Sequence, residues 1–433
     1  MKLDNDKSKN NKENSDKDNK NNKKSNDNIK DKDDKNKERL GGEIYECHGI
    51  LGDKDWPRPL CVVKSDKPNR KDQGNMTTSS EYLDEPEVLD KKMEIIAQLI
   101  QTSKCCIAYC GAGLSRMAGI GDYASNADNS ITNSVPKLKS AFDAKPTFSH
   151  HVLTKLERKG LLKYFIQQNH DGLPQKAGFP QEKICEIHGA WYDPSNPVVQ
   201  FSEKLRGDLF NMMLEIEERT DLTLCLGTSL SGMNSDRCAH TPATKFCDSR
   251  IGNGTVMINL QQTGIDGMCS IRVWAKLDDA FKILAEKLSL NMNKLYYAPK
   301  LKEDVFFIPY DSKGHFLGKT TKKMMKINFK IGSQIKIVNE FSKFKGIIGE
   351  IVRKSDDHYT WKCSESKHCY ALGFWMIESA VRGALDTFPY ANKEVEFVDK
   401  KFEYIEEKNE EKSVFDLEDE ILKQVLEMSM NNS

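Results

Sequence analysis

One run of five residues, Cys106-Ile107-Ala108-Tyr109-Cys110, passes without a break into Gly111-Ala112-Gly113 and then Ser115. Lys104 stands before it. A short uncharged run between a cation and a glycine has the length of a strand buried on both faces, as in a parallel sheet. Small residues directly after such a strand let the backbone approach a bound group, and free N–H groups at a following helix start favour phosphate. The third glycine of the dinucleotide fingerprint GxGxxG is absent. Taken alone, the segment fits either a plain tight turn or a nucleotide loop.

The flanking segments repeat the arrangement. Asp84-Glu85-Pro86-Glu87 reads as a helix start, with a capping Asp, Pro in the first turn and acids at the positive end of the dipole. Val88, Leu89, Met93, Ile96, Leu99 and Ile100 then recur at three- and four-residue spacing. Residues 147–159 predict a second helix, stopped by Gly160. Further strands are expected at 164–166, 184–187, 222–226 and 256–260, and a closing amphipathic helix at 281–288. Their ends are polar or glycine-rich: Gln167-Gln168-Asn169-His170-Asp171-Gly172, His188-Gly189, Gly227-Thr228-Ser229 and Gln261. Singly, these fit an Asx-type turn or a structural histidine as readily as a site. Together, strands alternating with helices predict an α/β fold with a doubly wound parallel sheet, its ligand contacts at the C-terminal strand ends.

Composition narrows the setting. The 433 residues suggest two or three domains. With 65 basic and 65 acidic residues the net charge is 0, so global charge does not indicate nucleic acid or membrane as a partner. No apolar run approaches a membrane span or a signal-peptide core, which predicts a cytoplasmic or nuclear protein. The 12 cysteines are then expected as free thiols, and none are spaced CxxC.

In order, the chain carries GAGLSRMAGIGDY, QQNHDGL, KAG, EIHG, PVVQFSEKL, LGTSL and INLQ. This ordered set resembles the sirtuins, the NAD-dependent protein-lysine deacylases, over about residues 88–290. The resemblance implies a Rossmann-like catalytic domain (85–292), NAD as cofactor and an acylated-lysine protein as substrate. Gly111, Ala112, Gly113 and Ser115 would hold the NAD phosphates, with Asp122 and Tyr123 over the nicotinamide end. Gln168, Asn169 and Asp171 would line the nicotinamide and ribose pocket. Asn169 and His188 would be catalytic, and the amide and carboxylate set around Asn169 and Asp171 would bind the carboxamide and orient a water. Gly227, Thr228 and Ser229 would contact the phosphate–ribose region, and Asn259 with Gln261 the adenosine half. Val198, Val199, Gln200, Phe201 and Ser202 would lie in the peptide groove and pair with the substrate as a strand. In such chemistry a weakly nucleophilic amide oxygen must be held close to a ribosyl carbon in a dry tunnel, and a neutral imidazole can accept a proton at neutral pH.

The sequence departs from the family pattern GIPDFRG at Gly119-Ile120-Gly121-Asp122-Tyr123-Ala124-Ser125, where Ala124 takes the Arg position. His170 replaces a branched apolar residue, and Pro174 a His. Most tellingly, the family carries four zinc cysteines between HG and PVV. Here seven residues, 190–196, fill that interval and none is Cys. No zinc is therefore expected, and a reduced small domain would be held by Trp191, Tyr192, Val199 and Phe201.

Outside this region four segments are expected. Residues 1–40 form a disordered tail: 1–38 hold 12 Lys, 10 Asn and 10 acidic residues, with only Met1, Leu3 and Ile29 apolar. Residues 41–84 are an extension with no clear pattern. β-Patterned runs at 305–308, 334–338, 347–352 and 359–362 predict a small SH3-like β-barrel over 293–395, with the basic run 319–330 as a solvated face. Residues 396–433 are a charged linker followed by an amphipathic helix. Leu422, Val425, Leu426 and Ser429 share one face of it, behind an acidic first turn. That helix resembles a ubiquitin-interacting motif, with Val425 where the motif has Ala, and fits either ubiquitin as a partner through 415–433 or docking on the chain's own barrel. On the central site, mono-ADP-ribosyl transfer and a non-enzymatic NAD- or acyl-lysine-binding scaffold are the alternatives to deacylation. A dehydrogenase is disfavoured by the missing GxGxxG.

Overall fold

The structure is a computed structural model and describes residues 38–70, 77–121, 129–133, 135, 138, 140–200, 203–231 and 234–404. The expected tail up to residue 37, the helix within 415–433, and Asp122, Tyr123, Ala124, Phe201 and Ser202 lie outside the described residues.

Helix α1 (Ile44–His48) and the antiparallel pair β1 (Leu60–Val63) and β2 (Glu81–Leu83) come first. They place the extension that its sequence pattern left open. Leu40, Cys47 and Trp274 pack together with Ile44 and Tyr82 beside them. Below them Lys92 Nζ meets Asp84 Oδ1 at 2.7 Å with both side chains fully buried. The other Asp84 oxygen accepts the Trp274 backbone N–H at 2.9 Å, so the carboxylate is satisfied on both sides.

The central sheet is built from β3 (Cys106–Cys110), β4 (Tyr164–Gln167), β5 (Ile184–Glu186), β6 (Leu222–Leu226), β7 (Gly254–Ile258) and β8 (Ile271–Val273). All pairs are parallel, and the order is β5-β4-β3-β6-β7-β8. The chain runs outward from β3 to β5, returns to lay β6 on the other side of β3, and runs outward again. Helices α2 (Pro86–Thr102), α3 (Phe148–Arg158) and α7 (Leu277–Lys287) cover one face, where Cys106, Ala108 and Cys110 point. The short α4 (Leu173–Lys176) follows β4. Helices α5 (Gly207–Arg219) and α6 (Arg237–Ser249) cover the other face, where Ile107 and Tyr109 point. The period-two alternation of a strand feeds two separate apolar layers. The doubly wound reading is thus the observed architecture, with corrections: the strand expected at 256–260 starts two residues earlier, and β8, α5 and α6 had no sequence assignment.

Beyond α7 lie β9 (Val305–Ile308), β10 (Lys323–Asn328), β11 (Gln334–Ile337), β12 (Ile348–Lys354), β13 (His358–Cys363), β14 (Cys369–Gly373), α8 (Phe374–Val381), β15 (Tyr390–Asn392) and β16 (Glu396–Asp399). They form a five-stranded antiparallel sheet, β14-β13-β12-β11-β15, and a three-stranded one, β16-β10-β9. The β-patterned runs of this region are thus strands of two antiparallel sheets accompanied by a helix. The expected solvated basic run contains β10, whose Met324, Met325 and Ile327 are buried, and the expected linker begins with β16, paired with β10.

This second layer grips the interval 190–196. Tyr192 belongs to its apolar cluster, 5.0 Å from Trp375 between ring centroids. Gly373 N–H donates to Tyr192 O at 2.9 Å. Tyr390 Oη donates to the Asp193 carboxylate, which also accepts Ser195 N–H at 2.8 Å and Ser195 Oγ–H at 2.6 Å. Among the described residues no cluster of metal-ligating side chains is present, and no helix is long and apolar enough to cross a membrane.

Candidate active site

Where β3 and β6 lie side by side and their crossovers depart in opposite directions, an open α/β sheet leaves a crevice at its C-terminal edge. The loops 111–115 and 227–231 meet there. Gly113 N–H donates to Gly227 O at 2.8 Å, and a Cβ on Gly113 would sit 2.6 Å from Gly227 Cα. Only glycine fits that crossing.

A cavity opens above it, lined by Gly111, Ala112, Gly113 and Ser115 from β3, Gln168, Asn169, His170 and Asp171 from β4, His188 and Trp191 after β5, Gly227, Thr228 and Ser229 after β6, and Asn259 with Gln261 after β7. Every described candidate for cofactor contact is among these residues. Of the candidate peptide-groove residues Val199 lines the cavity, whereas Val198 and Gln200 do not, Gln200 facing solvent.

Hydrogen bonds fix the polar groups. Asp171 is buried and accepts Ser115 Oγ–H at 2.5 Å and Leu173 N–H at 3.0 Å. Burial raises its carboxyl above the ordinary range, and those two bonds oppose the rise. Asn169 Nδ2 donates to Gly111 O at 2.9 Å and Ser115 Oγ at 3.1 Å, so its amide is held by the β3 loop. Gln168 Nε2 donates to Thr228 Oγ1 at 2.9 Å, bridging the ends of β4 and β6. Asn259 Nδ2 donates to Thr228 O at 3.3 Å. His188 is pushed down to about 4, chiefly by burial and then by His170. It is a neutral base at physiological pH. Gly189, at φ +91°, turns the chain so that Val199 N–H donates back to His188 O at 3.0 Å.

Several lining groups escaped the sequence reading. Asn69, Arg70 and Glu81 come from the extension, Arg116 and Thr132 from the segment after β3, and Lys276 from the start of α7. Arg116 Nε donates to Thr132 Oγ1 at 3.2 Å. No periodic signal marks such residues, since they converge only through the tertiary fold. Main-chain amides, hydroxyls, carboxamides and three cations at one sheet edge suit an anionic ligand rich in hydroxyl and amide groups.

Residues 126–195 match the model of the Sir2 family. Over part of its length the chain is similar to sirtuins. The NAD-dependent protein deacetylase SRT1 of Arabidopsis thaliana is 28% identical over 272 residues, 53% of this chain and 55% of that protein. Sirtuin-7 of Homo sapiens is 25% identical over 276 residues, 52% of this chain and 66% of that protein. An NAD-dependent protein deacetylase of Thermodesulfovibrio yellowstonii is 27% identical over 255 residues, covering 46% of this chain and 95% of that protein. The chain spans between half and two thirds of the length of the plant and human sirtuins. The family match takes in the Asn169 and His188 segments, but the β3 and β6 loops lie outside it.

Proposed function

We propose that this sirtuin relative is an NAD-dependent protein-lysine deacylase, with NAD in the cavity at the sheet's switch point and an acylated lysine entering beside Trp191 and Val199. The convergence of His188, Asn169 and Asp171 with the two glycine loops around one cavity carries the reading. Bound NAD supplies a ribosyl carbon whose nicotinamide can leave. The chain's part is to bind and orient. The β3 loop and Arg116 face the negative charge, and the main chain packs too closely there for any side chain. Asn169, clamped to Gly111 and Ser115, presents its amide oxygen to the cavity, while buried Asp171 fixes Ser115. Thr228, Asn259 and Gln261 offer hydroxyl and amide partners to the remote half of the cofactor. His188 stays neutral and accepts a proton from a hydroxyl of the bound ligands, and the walls around it exclude water. Residues 198–202 pair with the substrate main chain, and the ubiquitin partnership of 415–433 rests on its sequence pattern.

The test is mass spectrometry of the full chain with NAD and acetylated, succinylated or myristoylated peptides. Deacylation gives free nicotinamide and O-acyl-ADP-ribose. ADP-ribosylated protein without that product supports transfer to a protein nucleophile, and NAD binding without nicotinamide release supports a scaffold. Either outcome overturns the proposal.

A further inference from the structure

A chain of hydroxyls runs beneath the cavity floor, and its direction is fixed. His188 Nε2 lies 3.3 Å from Ser235 Oγ, Ser235 Oγ lies 2.8 Å from Tyr109 Oη, and Tyr109 Oη donates to Asp236 Oδ1 at 2.7 Å. Ser235 and Tyr109 are fully buried, whereas Asp236, immediately before α6, is half-buried and reaches solvent. An ionised carboxylate only accepts. The single Tyr109 hydrogen therefore goes to Asp236, which leaves a Tyr109 lone pair for the Ser235 hydrogen. With that hydrogen committed, Ser235 Oγ turns a lone pair toward His188 Nε2.

A protonated ring completes this chain by donating Nε2–H to Ser235. A neutral ring with a bare Nε2 meets only another lone pair, and 3.3 Å, the longest of the three separations, suits that weaker contact. The imidazole also hydrogen-bonds to the main chain of Gln168, which favours the protonated ring. Burial, His170 and Arg70 all oppose protonation. Around Tyr109, burial with Asp236 and Cys225 pushes the phenol well up, so at rest it is the neutral phenol.

We propose that Ser235, Tyr109 and Asp236 are positioning residues for His188: they keep its Nε2 uncapped at rest, stabilise the proton it accepts, and conduct that proton to solvent at the head of α6. The proton passes from Nε2 to Ser235 Oγ as the Ser235 hydrogen moves to Tyr109 Oη and the Tyr109 hydrogen to Asp236 Oδ1. Asp236 then releases one proton to water, and rotation of the two hydroxyls restores the start. One proton enters and one leaves, so no charge accumulates. The source of the proton rests on the deacylase reading, whereas the direction of the chain does not.

The test uses the full chain with Tyr109→Phe, Ser235→Ala and Asp236→Asn. Nitrogen-15 NMR of labelled histidine is read at pH 7 without cofactor, with His188 assigned by His188→Gln. In Tyr109→Phe the Ser235 hydrogen is released and turns to Nε2. The Nε2 resonance should move to that of a hydrogen-bonded imidazole nitrogen, and Ser235→Ala should abolish the movement in the double variant. With NAD and acetylated peptide, kcat should fall about 10-fold in each single variant, the loss of roughly one hydrogen bond, while KM for NAD holds. An Nε2 resonance unmoved by Tyr109→Phe, or a folded Asp236→Asn variant with unchanged kcat beside an active wild type, overturns the relay. If the wild type releases no nicotinamide, the deacylase reading fails and the NMR result alone decides the relay.

Discussion

Two tyrosines, one within the interval 190–196 and one bonded to it from the second layer, make opposite predictions for the same atomic change. Tyr390 is fully buried and donates its hydroxyl to Asp193, whose other partners are Ser195 N–H, Ser195 Oγ–H and, at 3.9 Å, Arg206. Tyr390→Phe removes one charge-assisted bond from a buried carboxylate and should cost about 1.5–3 kcal/mol. Tyr192 is buried too, but its hydroxyl has no hydrogen-bond partner among the described residues. Tyr192→Phe removes an unsatisfied polar atom and keeps the ring against Trp375, so it should be neutral or stabilise by about 1 kcal/mol. The two variants should therefore differ by roughly 3 kcal/mol. Urea unfolding of the full chain at pH 7, followed by tryptophan fluorescence, measures the difference. Deacylation rates should follow, because Tyr390→Phe loosens the turn that carries His188. Equal destabilisation by both variants, or a Tyr390→Phe loss below about 0.5 kcal/mol, would refute the idea that this carboxylate anchors the interval.

Three further outcomes are expected. His188→Ala should lower turnover by about 10²–10⁴-fold while leaving NAD affinity within a few-fold, read by kinetics and calorimetry. Gly113→Ala pushes a Cβ to 2.6 Å from Gly227 and should abolish NAD binding by calorimetry while circular dichroism keeps the sheet signal. Burial raises Glu186 from 4.5 to about 7, with Asp193 adding to the rise. Because the folded value lies above the unfolded one, its contribution to stability is complete below pH 4.5 and is lost as the pH climbs through 7. Glu186→Gln should thus be more stable than the wild type at pH 7.5, by up to about 3 kcal/mol, and the gap should close at pH 4.5 in paired urea titrations.

Much of the sheet was legible because β3 and β6 are uncharged runs of strand length, each ending in glycine. Strand β8 was not, because Arg272 sits in the middle of three residues. That guanidinium is fully buried and makes its bonds to Asp266 and to the carbonyls of Asn259, Gln261 and Val273, a partnership invisible from spacing. Strand β10 was hidden by Lys323 and Lys326, which project outward while Met324, Met325 and Ile327 fill the interior. At the site, the loops marked by glycine and amide residues converge as their order suggested. Arg70, Glu81 and Lys276 carried no local pattern. Tyr109 counted as one apolar letter in a strand, and its hydroxyl acquires meaning only once α6 sets Ser235 and Asp236 against it.

The grip of the second layer on Asp193 also sets a schedule for biogenesis. Tyr390 leaves the ribosome 197 residues after its carboxylate partner, a delay of about 10–40 s at ordinary elongation rates. Once β8 has emerged the nascent parallel sheet can form, but the turn that follows His188 still lacks its Tyr390 anchor. A polypeptide ended by a premature stop before Trp375 would expose Tyr192 and its apolar surroundings, and chaperones would meet it as an unfinished product. Completion of synthesis thereby becomes a condition for a finished active site.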